Sequence, residues 1–92
     1  MDYAVIEAYP NPFNGSVSIT LSGANSDDLG LTIYDMLGRE VKSAQFNSDG
    51  SNRTTYTWDG MDNHGQAMPS GVYFVKLNDA VPKTLKKITL LK

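Results

Sequence analysis

The chain of 92 residues contains no cysteine, which excludes a disulfide framework and any thiolate metal site and leaves the redox compartment unread. Histidine and tryptophan each occur once, so sites built from clustered imidazoles are excluded as well. No apolar run approaches the ~20 residues that cross a bilayer as a helix. The first residues, with Asp2 and Glu7, lack the charged-then-apolar order of a secretory leader. No window carries apolar residues at helical spacing for more than a turn. Charge of one sign is also scarce: the formal balance is −2, too small for a general attraction to nucleic acid or anionic lipid. Acids are missing locally, because none follows Asp79, whereas Lys83, Lys86, Lys87 and Lys92 all do. The tail is therefore positive.

What is present suffices for a packed core. Hydrophobic residues make up 40% and charged residues 20% of the chain, which argues against disorder. The length fits one domain, residues 1–92, which buries somewhat more than ~60% of its unfolded surface. Met1 reads as a start placed before a domain taken from the end of a longer, exported protein. Alternation with the period of a pleated strand predicts about seven strands. They run from Tyr3 to Ala8, Ser16 to Ser22, Leu29 to Tyr34, Arg39 to Phe46, Thr54 to Trp58, Ser70 to Leu77 and Thr84 to the terminus. Val41 and Ala44 interrupt the fourth alternation and predict a bulge or an edge there. Pro10, Pro12 and Asn14-Gly15 make a stiff turn after the first strand. Polar connections cover residues 23–28, 47–52 and 59–71, and Asn78, Asp79 and Pro82 break the last two strands apart.

Short strands with turns every 8–12 residues predict an all-β, immunoglobulin-like antiparallel sandwich without the disulfide. Its core is expected to hold Val17, Ile19, Leu21, Leu31, Ile33, Trp58, Tyr73, Ile88 and Leu90, with Trp58 anchored between the sheets and its indole N–H bonded to a carbonyl. The final strand runs to the last residue, Lys92, which suggests a C-terminus that another protein contacts.

Chemistry-bearing residues are few. His64 sits between Asn63 and Gly65 with no nucleophile elbow, paired carboxylates or metal spacing beside it, so it is expected to be an exposed turn residue. Asp59, Asp62 and Asn63 offer oxygens to a calcium ion, but without the twelve-residue loop ending in Glu; capping of backbone N–H groups explains the same residues. No cofactor and no catalytic set are expected. Asn14-Gly15-Ser16 and Asn52-Arg53-Thr54 fit the glycosylation acceptor, a pattern short enough to arise by chance. Tyr3, Tyr9, Phe13, Tyr34, Tyr56, Tyr73 and Phe74 would form a carbohydrate platform only if several were outside, whereas a sandwich needs several inside. The terminal lysines serve equally as a solvated face that discourages edge-to-edge pairing.

Four segments, taken in order, carry a resemblance. Tyr9 to Asn14 (YPNPFN), Leu31 to Val41 (LTIYDMLGREV), Ser70 to Leu77 (SGVYFVKL) and Lys86 to Lys92 (KKITLLK) resemble the type A C-terminal sorting domain of the type IX secretion system, over nearly the whole chain. The resemblance implies a non-catalytic export address on Bacteroidetes-type secreted proteins. Its implied partners are an outer-membrane translocon, a sortase-like peptidase and an N-terminal cargo domain. It implies passage through the periplasm of a Gram-negative cell to the medium or cell surface; separately, the small net charge argues against a nucleic-acid partner and the lack of a long apolar run against a membrane-spanning helix. By motif it points to Pro10, Asn11, Pro12, Gly38, Arg39, Gly71, Val72, Tyr73 and the terminal strand with Lys86, Lys87 and Lys92 as recognition residues, with strand addition at that last strand as one mode of docking. The run from Trp58 to Gly65 with Met68 to Gly71 is more similar to the immunoglobulin-like domain of flagellar hook-capping proteins. That keeps a second reading open, a structural accessory module of a surface enzyme or hook cap.

Overall fold

The computed structural model describes residues 5–22, 28–47, 53–77 and 85–92. Tyr3, Asn52, Asn78, Asp79, Pro82 and Lys83 lie outside the described residues, as do the first two residues of the expected first strand and Thr84. Seven strands follow in chain order: β1 (Val5–Tyr9), β2 (Val17–Ser22), β3 (Asp28–Tyr34), β4 (Glu40–Asn47), β5 (Arg53–Trp58), β6 (Gly71–Leu77) and β7 (Leu85–Leu90). They form two sheets, β1-β2-β5 and β4-β3-β6-β7, and every pairing within them is antiparallel. This is an immunoglobulin-like sandwich.

Period-two alternation explains the layering, since successive side chains leave opposite faces of a strand. Val17, Ile19 and Leu21 of β2, Leu31 and Ile33 of β3, Val75 and Leu77 of β6, and Ile88 and Leu90 of β7 are all buried between the sheets. Trp58 ends β5 with no exposed surface. Its ring lies 5.7 Å from Phe13 and 5.4 Å from Tyr73, the latter edge-on, and its indole N–H donates to the carbonyl of Met61 at 2.8 Å. The one polar atom of the largest core residue is thereby satisfied.

β4 is both an edge and bulged: its register against β3 slips between Ile33 and Tyr34. The extra residue turns Val41 inward, where it is buried, and accounts for the broken alternation. The outer face of the three-stranded sheet is hydroxyl-rich, with Thr20 and Thr55 paired side chain to side chain at 3.3 Å.

The connections at residues 10–16, 35–39 and 59–70 gather at one end of the sandwich, together with the end of β7. Val5, where the described chain begins, pairs with Ser22 at the opposite end.

Candidate functional site

Residues 10–14 leave β1, lie along the outer margin of β7, and return to β2. Pro10 and Pro12 have no N–H to donate, and both the Tyr9–Pro10 and Asn11–Pro12 bonds are cis. Asn11 supplies what the prolines cannot. Its Nδ2 donates to the Lys87 carbonyl at 3.1 Å, and its Oδ1 accepts from the Thr89 N–H at 3.0 Å. Phe13 continues the ladder, donating its N–H to the Thr89 carbonyl and accepting from the Leu91 N–H at 2.9 and 2.8 Å. Asn14 Nδ2 reaches the Leu91 carbonyl at 2.9 Å, and the Lys92 N–H donates to Ser70 Oγ at 2.9 Å. A short asparagine-proline segment thus occupies the margin of the terminal strand from Lys87 to Leu91. Strand addition on that margin, one of the docking modes read from the sequence, would have to displace five hydrogen bonds.

Two turns beside it repeat one design. In the first, Asp35 Oδ1 accepts from the N–H groups of Leu37 and Arg39, and the Gly38 N–H donates to the Asp35 carbonyl. In the second, Asp62 Oδ1 accepts from His64 and Gln66, and the Gly65 N–H donates to the Asp62 carbonyl. Gly38 and Gly65 sit at φ of 82° and 81°, a left-handed geometry that side chains with a Cβ resist. The carboxyl of Asp35 is held below its ordinary value chiefly by the Arg39 N–H, against a smaller effect of burial. Asp62 is held down in the same way, chiefly by the Gln66 N–H. Arg39 also folds back, its Nε 2.9 Å from Asp35 Oδ2, so its guanidinium steadies the turn while remaining exposed.

The calcium candidates accept from backbone N–H groups, Asp59 and Asp62 within their own turns and Asn63 from β4. Asp59 Oδ1 accepts from the Met61 N–H, Asp62 Oδ1 from two N–H groups, and Asn63 Oδ1 from the Ser43 N–H. Among the described residues no group of three acidic, histidine or cysteine side chains is placed to hold a metal ion. His64 is exposed at the tip of its turn.

The recognition residues read from the sequence divide by environment. Pro10, Asn11, Pro12, Gly38, Arg39, Lys87 and Lys92 are exposed, and Gly71, Val72 and Lys86 half-buried. Tyr73 is different: it is buried, and its hydroxyl donates to the Pro69 carbonyl at 2.6 Å. Burial raises its pKa, and only 3% of its surface is offered to a docking protein. Lys86 and Lys87 leave opposite faces of β7, because Lys86 shares the inward side with Ile88 and Leu90. The terminal lysines therefore do not form one patch. Nor do the aromatics form one platform: Phe13 and Tyr73 are in the core, Tyr56 is half-buried against it, Tyr9 stands exposed on the three-stranded sheet, and only Tyr34 and Phe74 are neighbours, on the outer face of the four-stranded sheet, among the described residues.

Sequence reasoning missed the exposed pair Met36 and Leu37, 71% and 77% accessible, presented on the rigid Asp35 turn. Together with Met68, Pro69, Val72 and Tyr73 they line a cavity of about 290 Å³. Two adjacent apolar residues in a turn, where solvent favours polar ones, were the available clue.

No match was found among curated proteins. Among solved structures, dimeric latent PorU from Porphyromonas gingivalis is similar over 96% of this chain and 9% of that one, at 22% identity and a TM-score of 0.73. PorZ from the same organism, described as an essential bacterial surface component of the type-IX secretion system, is similar over 95% of this chain and 11% of its own, at 26% identity and a TM-score of 0.63. The chain spans about a tenth of the length of either. FlgD from P. aeruginosa shares the fold at 18% identity and a TM-score of 0.63, over 97% of this chain and 72% of that one. Residues 7–91 match the family described as "Secretion system C-terminal sorting domain", and the chain belongs to that family.

Proposed function

We propose that this domain is a non-catalytic address, carried at the C-terminal end of a cargo protein, that directs the cargo through the type IX secretion system across the outer membrane for release or surface anchoring. The observation that carries this reading is the gathering at one end of the sandwich of motifs far apart in sequence: Pro10 to Asn14, Gly38-Arg39, Gly71 and the close of β7. Asn11 meets Lys87 and Thr89 across 76 and 78 positions. Cargo joined before Val5 leaves from the opposite end, so the motif end stays unobstructed. A rigid, pre-formed surface also keeps the ordering cost of docking low.

Similarity to part of PorZ supports naming the type IX system. The expected partners are its outer-membrane translocon and a sortase-like peptidase, reached by way of the periplasm of a Gram-negative cell. The FlgD likeness is one of fold and does not favour a hook-cap role.

The test places these residues behind a signal-bearing fluorescent reporter in a host with the type IX machinery. Reporter at the surface or in the medium is expected, with a reporter lacking the domain held in the periplasm; equal retention of both would refute the reading. Deletion at the tail must spare Leu90, which is 1% exposed and part of the core. Removing Leu91 and Lys92 tests the terminal residues, with a thermal melt run in parallel.

A further inference from the structure

The two outer faces of the sandwich differ. On the three-stranded sheet the two outward rows nearer the motif end read Glu7–Thr20–Thr55 and Tyr9–Ser18–Thr57, polar but for Tyr9. On the four-stranded sheet, Tyr34, Phe74 and Lys87 lie side by side across β3, β6 and β7, and the next row sets Thr32 beside Lys76 and Leu85. Val72 extends the apolar strip along β6. Tyr34, Val72 and Phe74 are half-buried, and Leu85 is 62% exposed. Thr32 on this face is itself buried, and Val72 lines the cavity beside Met36, Leu37 and Pro69.

Charge gives the face its polarity. From Gly30 to Tyr34, Val72 to Lys76 and Leu85 to Thr89, the outward positions carry two cations, Lys76 and Lys87, and no carboxylate. Acids border the face at one end: Glu40 at the β4 edge opposite Tyr34, its Oε2 3.4 Å from Asn63 Nδ2, and Asp35, which lines the cavity beside Val72. An apolar strip flanked by two lysines suits a surface of opposite pattern, apolar at its centre and carboxylate-bearing at its sides, with complementarity acting on encounter rate and register.

Building on the sorting role, we propose that the outer face of β3, β6 and β7, centred on Phe74 between Lys76 and Lys87, docks an acidic, apolar-centred protein surface of the export machinery. Lys87 would be the terminal lysine in contact, and Lys86, on the inward side, would not be.

The test uses the full chain as a reporter fusion in the type IX host, with a melt of each variant. K76E/K87E reverses the charge at surface positions, so its melting temperature is expected within about 3 °C of the parent. Its export is expected to fall at least about tenfold, because like charges then meet. K76R/K87R is expected to export normally, and T57E, on the other sheet's outer face, likewise. Normal export of K76E/K87E overturns the proposal, as does equal loss in T57E, which would make any added acid harmful. Co-sedimentation of the unmodified chain with phosphatidylglycerol vesicles, lost in K76E/K87E, would assign the face to lipid and overturn it too. Retention of the unmodified fusion, by contrast, overturns the sorting role itself and takes the docking face with it.

Discussion

Asn11 does with one amide what a neighbouring strand does with two peptide groups, offering a donor to the Lys87 carbonyl and an acceptor to the Thr89 N–H. Asn11→Ala leaves both unpaired at the sheet margin. We expect a loss of about 1–3 kcal/mol and faster hydrogen exchange at Thr89 than at Ile88, read by NMR; unchanged exchange at Thr89 would contradict the bond. Trp58→Ala empties the space between Phe13 and Tyr73 and is expected to cost ~3–5 kcal/mol, enough to unfold a domain of this size; a melt displaced by only a degree or two would contradict its burial. The two residues differ in legibility. Trp58 closes an alternating run, and its burial and carbonyl partner followed from period and polarity. Nothing local foretold where the amide of Asn11 would bond, because its partners lie at the other end of the chain, and Phe13 was just as opaque: its burial depends on the segment lying against β7.

At the scale of elements, the two aspartate turns share one sensitivity to acid. Both carboxyls bind a proton less readily in the fold than their ordinary 3.8. Their contribution is thus complete above that value and is lost as pH falls through the lower, folded ones. The melting temperature is expected to decline below about pH 4, and to decline less in Asp35→Asn/Asp62→Asn, where Oδ1 still accepts but no charge remains to be neutralised. An identical acid profile in that variant would rule the turns out. Strand identity and the β4 bulge were legible because alternation and its interruption are local; strand order was not, since β3 pairs with β6 rather than β2, a choice made by the closing of two layers.

For the whole molecule, the motif end exists only in the folded chain, for its parts are separated by up to 78 positions. A reporter carrying Trp58→Ala is accordingly expected to remain in the periplasm, whereas a linear tail signal would still deliver it. Family motifs were legible as letters, but their assembly was not: Tyr73 turned out to be a strut bonded to Pro69, and Lys86 and Lys87 parted to opposite faces. The asparagines have a last consequence. Asn11 occupies the margin of β7, and Asn63 does likewise on β4, bonding the Val41 carbonyl and the Ser43 N–H. Exposed strand borders recruit other strands. Both rims of the larger sheet are thus plugged near the motif end, which leaves a foreign strand no bare border to pair with there.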